Sequence, residues 1–195
     1  FPIPPHSPMK PHGPWKIIDS KEVYRDPWID VQRDEVIRPD GEEGTHCVVR
    51  MKPGVCVVAL DDEGFVYLTE EFHYGIGRDS IEGVSGGIDP GETALETAQR
   101  ELEEELGLRA ERWNDLGCVD PFTTIVVSPT RLYLAEGLSE GVCRPEGTEL
   151  IRLVKLSLGE AVSRVLDSRI THGPTATLLL KIQLLHGNQA SGLAK

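Results

Sequence analysis

Glu101, Glu104 and Glu105 stand three and four residues apart near the middle of the chain, and the glycine-rich stretch from Gly83 to Gly91, read as a loop, precedes them. Like charges at these spacings on a helix repel by a few tenths of a kcal/mol per pair. No lysine between Thr93 and Leu106 offsets them. A hard divalent cation, which prefers oxygen ligands, is the counter-charge that such a cluster suits. Glycines beside it allow backbone to come close to an ion or ligand. The chemistry implied is therefore metal-assisted, and a metal site is the first hypothesis. The alternative is an exposed, Glu-rich amphipathic helix with no ligand.

A helix must position these carboxylates. Thr93 followed by Glu96 has the form of a capping box, and Gly107 sits where a left-handed cap ends a helix. The spacing predicts a helix from about Thr93 to Leu106. At about 100° per residue, Leu95, Ala98, Leu102 and Leu106 share one arc, which should pack on a sheet. Glu101, Glu104 and Glu105 share the neighbouring arc, while Glu96 and Glu103 point away to solvent. Arg100 borders the acidic arc and can orient a carboxylate through a forked hydrogen bond.

The segment Gly86 to Leu108 reads Gly86, five residues, Glu92, seven residues, then Arg100-Glu101-Leu102-Glu103-Glu104-Glu105-Leu106-Gly107-Leu108. It fills every defined position of the signature box of the Nudix hydrolases, and the chain is identified as resembling that family. The resemblance implies an α/β/α sandwich, Mg2+ with Mn2+ as a substitute, and hydrolysis of a nucleoside diphosphate linked to a further group by attack of water on phosphorus. The flanks Glu71-Phe72-His73, Ile81 to Ser85, and Ser168 to Thr175 resemble the ADP-ribose pyrophosphatase branch. Two departures bear on substrate. His73 stands where that branch commonly has arginine, and Asp120 to Pro129 replaces its usual Pro-Gly and acidic stretch.

By the family pattern Glu101, Glu104 and Glu105 are metal ligands, with the Ser85 carbonyl as a backbone ligand. The general base is drawn from a loop after the box, here Glu149, with Glu146 second. Glu82 matches a glutamate that binds substrate or metal in relatives, or else it is a partner for Arg100. His73 is a candidate for the diphosphate or ribose, against an ordinary polar strand residue. Trp28 is placed to stack on a base, as aromatic faces suit a purine, or else packs in the N-terminal core; His46 is a weaker candidate for the same role. The resemblance also implies a homodimer whose N-terminal strands complete the partner's site. The runner-up activities are hydrolysis of a different diphosphate, such as a dinucleotide, modified nucleoside triphosphate or coenzyme, and a catalytically silent nucleotide-binding module.

The 195 residues with 39% hydrophobic content are enough for one substantial domain with a real core. A net charge of −12 argues against nucleic acid or an anionic membrane surface as partner. Cys47, Cys56, Cys118 and Cys143 are widely spaced without a C-x-x-C pair, so free thiols in a reducing cytoplasm are expected. No run approaches the ~18 apolar residues of a membrane span.

Residues 1–12, rich in proline and without a signal-peptide core, are expected to be a disordered tail or cloning remnant, with Met9 a candidate start. Alternating patterns at Trp15–Ser20, Glu22–Arg25, Trp28–Arg38 and His46–Met51 predict an antiparallel β subdomain over 13–51. The hydrolase domain is expected over 52–187 and a disordered tail over 188–195. Within the domain, Gly54–Leu60 and Phe65–Glu70 flank a hairpin turn. Further strands are expected near Leu116–Val119, Arg131–Glu136 and Leu150–Leu156, and helices over Gly159–Asp167 and Thr175–His186. This order suits an α/β fold with a mixed sheet covered on both faces.

Overall fold

The computed structural model describes residues 9–144 and 150–190, which divide into two compact units. One runs to Lys52 and adds Phe122–Ser128; the other holds Pro53–Pro121 and Pro129 onward. In chain order the elements are β1 (Lys10–His12), β2 (Trp15–Arg25), β3 (Ile29–Ile37), β4 (Glu43–Met51), β5 (Gly54–Leu60), β6 (Phe65–His73), β7 (Arg78–Glu82), β8 (Val84–Gly87), α1 (Ala94–Leu106), β9 (Leu108–Val119), β10 (Val126–Val127), β11 (Thr130–Glu140), β12 (Arg152–Ser157), α2 (Leu158–Leu166) and α3 (Gly173–Ala190).

The first unit is a sheet in the order β1-β2-β3-β4-β10. Lys10–His12, expected within a disordered tail, instead pair with Trp15–Ile17. The two expected strands at 15–20 and 22–25 are one, β2, with register shifts at Ile17/Asp19 and Glu22/Tyr24 that absorb the break in alternation. The stretch after Asp120, expected inside the hydrolase domain, sends Val126–Val127 to run parallel to Val49–Arg50 of this sheet.

The second unit is the mixed α/β body. Its main path is β12-β6-β5-β11-β9, with β7 on β6 and β8 on β5. Among the described residues only β5 and β11 pair in parallel within it; the remaining pairs are antiparallel. The run Val55-Cys56-Val57-Val58-Ala59-Leu60 is buried along its whole length because the sheet is covered on both faces. Alternate residues face alternate helices. Cys56, Val58 and Leu60 join Leu178, Leu179 and Ile182 of α3 and Ala161 of α2. Val55, Val57 and Ala59 join Ala98, Leu102 and Leu106 of α1. These are the two helical layers of an α/β/α sandwich.

Helix α1 begins at the predicted capping box: Thr93 accepts from the Glu96 N–H, and Glu96 reaches back to the Thr93 N–H. It ends at Gly107 with φ 63°, the left-handed cap. One predicted contact differs. Leu95 remains 37% exposed, and Thr97 takes the buried place, its hydroxyl bonded to Glu92 and to the Thr93 carbonyl. The glycines before the helix are also not all loop, since Val84–Gly87 form β8, with Gly86 opposite Val55. α3 continues to Ala190, beyond the predicted end at His186. Among the described residues no helix is long and apolar enough to cross a membrane.

Candidate active site

The cation nearest the glutamate cluster is Arg100. Its Nε and NH2 groups grip the two oxygens of Glu92 at 3.0 and 3.1 Å, and its NH1 donates to Glu101 at 2.8 Å and Glu104 at 3.0 Å. A planar guanidinium suits this fork, as an ammonium would not. The hydrogen bonds from Arg100, helped by the Thr97 hydroxyl, hold the Glu92 carboxyl at about 2, and Glu92 in turn leads the upward shift of Arg100. The expected role of Arg100 as an orienting partner is thus met at three carboxylates. Arg100 supplies one positive charge against Glu92, Glu101 and Glu104, leaving this set of four net negative.

The predicted helix faces separate the other glutamates. Glu96 is spent on the cap. Glu103, expected to be solvated surface, is half-buried and paired with Arg109 at 2.6 Å, and it also accepts from the Val142 N–H. The segment Gly141 to Arg144 closes over this end of α1. Gly141 N–H donates to the Gly107 carbonyl at 2.7 Å and Arg144 N–H to that of Glu104 at 2.8 Å. These acceptors are ones the helix end leaves unmet.

Strand β8 brings backbone against the same carboxylates. A Cβ at Gly86 would overlap the side chain of Glu101, so the glycine makes the space that this carboxylate fills. Ser85, on the neighbouring position, bonds through its hydroxyl to the Gly83 carbonyl at 2.8 Å. The donor set around α1 is all oxygen and fits a hard cation. Among the described residues, no three Asp, Glu, His or Cys side chains converge as they would around an ion. Glu101 and Glu104 are turned onto Arg100 instead.

Glu82 lies at the edge of this region with 12% of its side chain exposed. The expected alternative partner, Arg100, is not what it meets. His73 Nε2 lies 3.3 Å from one oxygen and His172 Nδ1 3.1 Å from the other. Burial, with the charge of His73, holds the His172 pKa below its usual value, against the pull of Glu82. His172 Nδ1 is also 2.8 Å from the Thr175 hydroxyl, which accepts from the Gly83 N–H. Sequence reasoning missed His172, and the one signal was its place just before a helix start. It also passed over Glu92 as a partner for Arg100, because helical spacing does not connect a residue ahead of the cap to one two turns inside.

In the first unit, Trp28 is 71% exposed, which excludes the reading that it packs in that unit's core. Its N–H is tied to Asp26 at 2.8 Å. His46 sits elsewhere on the sheet, opposite Asp34, with its ring 5.8 Å from that of Trp15 and its Nε2 3.3 Å from the Thr124 carbonyl. His46 lines a polar cavity of about 380 Å³ with Arg50, Asp34 and Thr124, and Trp28 does not. Glu146 and Glu149 lie outside the described residues.

Comparison with known proteins places these features. The NUDIX domain matches residues 50–161, and the family described as the nucleoside diphosphate sugar hydrolase N-terminal domain matches residues 15–49. An ADP-ribose pyrophosphatase of Mycobacterium tuberculosis is 33% identical, covering 81% of this chain and 78% of that one. A methanol dehydrogenase activator of Bacillus methanolicus is 28% identical over 87% and 92% of the two chains. A crystal structure of an ADP compounds hydrolase superposes with a TM-score of 0.75 at 20% identity, covering 91% of this chain and 96% of that one.

Proposed function

Because this chain belongs to the Nudix family, we propose that it hydrolyses the diphosphate bond of ADP-ribose or a similar nucleotide sugar, releasing a nucleoside monophosphate and a sugar phosphate. The observation that carries the reading is the complete box, Gly86 to Leu108, folded so that Glu101 and Glu104 share Arg100 beside the β8 backbone. Similarity to a relative named ADP-ribose pyrophosphatase supports the substrate class.

In this reading Glu101, Glu104 and Glu105, with the Ser85 carbonyl, hold Mg2+, and Mn2+ substitutes for it. When bound, the ion polarises phosphoryl oxygens and acidifies a water. The protein's own work is then orientation and proton transfer. Arg100 fixes Glu92 and restrains Glu101 and Glu104, so the carboxylates are held in place before substrate arrives. Glu149, or Glu146 in its stead, takes the proton of the attacking water. Glu82 contacts the substrate, and His73 beside it the diphosphate or the ribose. The exposed face of Trp28 stacks on the base, with His46 as a second contact of the first unit. The active species is a cytoplasmic homodimer in which the first unit of one chain completes the site of the other.

A panel of ADP-ribose, a nucleotide hexose, a dinucleotide, a modified nucleoside triphosphate and a coenzyme, assayed with Mg2+ for new phosphate monoesters, tests the substrate class. The expected result is fastest turnover of ADP-ribose or the nucleotide hexose. Preference for another member makes this a Nudix hydrolase of different specificity, in keeping with His73 at the position where arginine is common. No turnover of any member leaves the silent nucleotide-binding module.

A further inference from the structure

Glu82 stands between two imidazoles on pinned backbone, with a ring nitrogen facing each carboxylate oxygen. We propose that His73 and His172 are positioning residues that hold the Glu82 carboxylate for a substrate hydroxyl, His172 acting through an Nδ1–H tautomer. The proposal rests on the reading above that Glu82 contacts substrate.

The assignment follows from counting donors. An ionised carboxylate only accepts, so the nitrogen facing each of its oxygens must carry hydrogen. That nitrogen is Nδ1 of His172, at 3.1 Å from Oε2, and Nε2 of His73, at 3.3 Å from Oε1. Thr175 then has its hydroxyl hydrogen to place. Its oxygen already accepts from the Gly83 N–H at 2.8 Å and lies 2.8 Å from His172 Nδ1, so in this arrangement the Nδ1–H is shared between Thr175 Oγ1 and Glu82 Oε2, and Cys56 Sγ at 3.6 Å takes the hydroxyl hydrogen. The Cys56 thiol, fully buried and with its pKa pushed up to about 11 by that burial, stays protonated. The opposite tautomer would set the Nδ1 lone pair against a carboxylate oxygen.

The backbone under Glu82 has little freedom to compensate. Gly83 is bonded to Thr175, and a Cβ at Gly83 would come within 2.6 Å of the Val57 carbonyl. The carboxylate is therefore aimed by the imidazoles and by a fixed peptide. Each oxygen faces one imidazole nitrogen and retains capacity for a further donor. A sugar hydroxyl, itself a donor, is the ligand class that completes the set.

Amide substitutions test this atom by atom, since the Asn side-chain nitrogen falls near the histidine Nδ1 position and that of Gln near Nε2. With ADP-ribose as substrate and Mg2+ present, His172→Ala should raise KM roughly tenfold, the loss of about one hydrogen bond to a charged group, with a smaller change in kcat. His172→Asn should recover most of that loss and His172→Gln little of it. The order should reverse at position 73, where His73→Gln recovers and His73→Asn does not. Equal KM values for the Ala and Asn variants at 172 would overturn the proposal. Nitrogen chemical shifts of the wild-type protein supply a readout apart from activity: His172 should be the Nδ1–H tautomer, and an Nε2–H tautomer would overturn the assignment. An unchanged KM in Glu82→Gln also overturns it, at its premise, while turnover by the wild-type protein would leave the hydrolytic activity standing.

Discussion

Arg100 is the residue on which the acidic cluster depends, because it touches Glu92, Glu101 and Glu104 at once. If Glu105 is a metal ligand and Glu103 only a partner of Arg109, the two adjacent side chains should behave differently. Glu105→Gln is expected to lower kcat about 100-fold, as the loss of one electrostatic element of a phosphoryl-transfer site commonly does. Glu103→Gln should stay within a few-fold, and steady-state kinetics on folded protein distinguishes them. Glu92 makes a second prediction, about acid stability. Its folded pKa is depressed to about 2 from an ordinary 4.5, so the stability it contributes is present above pH 4.5 and lost as pH falls toward 2. Glu92→Gln should remove that part of the acid sensitivity, seen as a flatter dependence of the thermal midpoint on pH between 5 and 2. Sequence periodicity separated Glu101 and Glu104 from Glu96 correctly, because helix geometry is local. It could not find Glu82–His172, which joins residues far apart in the chain through tertiary packing.

Strand β8 and helix α1 form the element that presents the site, and two of its glycines differ in what limits them. At Gly83 a Cβ would strike the Val57 carbonyl and Cys56 Sγ, at 2.6 and 3.0 Å, in a fully packed core. Gly83→Ala should therefore cost stability, about 1–3 kcal/mol of overpacking, measured by denaturant unfolding. At Gly86 the obstacle is the Glu101 side chain, which can swing away. Gly86→Ala should leave the unfolding midpoint nearly unchanged and lower kcat by displacing Glu101. The boundaries of α1 were legible because Thr93, Glu96 and Gly107 are local signals. β8 was read as loop because Ser85-Gly86-Gly87 lacks strand propensity, and its pairing with β5 overrides that. Leu95 and Thr97 changed places for a related reason. The Thr97 hydroxyl is satisfied by Glu92 and the Thr93 carbonyl, which removes the penalty for burying it.

Across the whole molecule, a net charge of −12 must coexist with an anionic diphosphate substrate. Bound divalent metal at the box glutamates is the local answer proposed here, so chelation should abolish turnover while the β-rich fold remains, as followed by circular dichroism. The α/β class and the two-sided cover were legible in the order of strands and helices along the sequence, and the run Val55 to Leu60 is the strand buried under that cover. The membership of Phe122–Ser128 in the first unit was not, since two-residue pairing with β4 leaves no periodic signal. The most direct measurement of the central claim is phosphorus NMR of ADP-ribose incubated with the protein and Mg2+. The account predicts that both diphosphate resonances disappear together as two phosphate-monoester resonances grow, from a nucleoside monophosphate and a sugar phosphate. Diphosphate resonances that persist unchanged would contradict it.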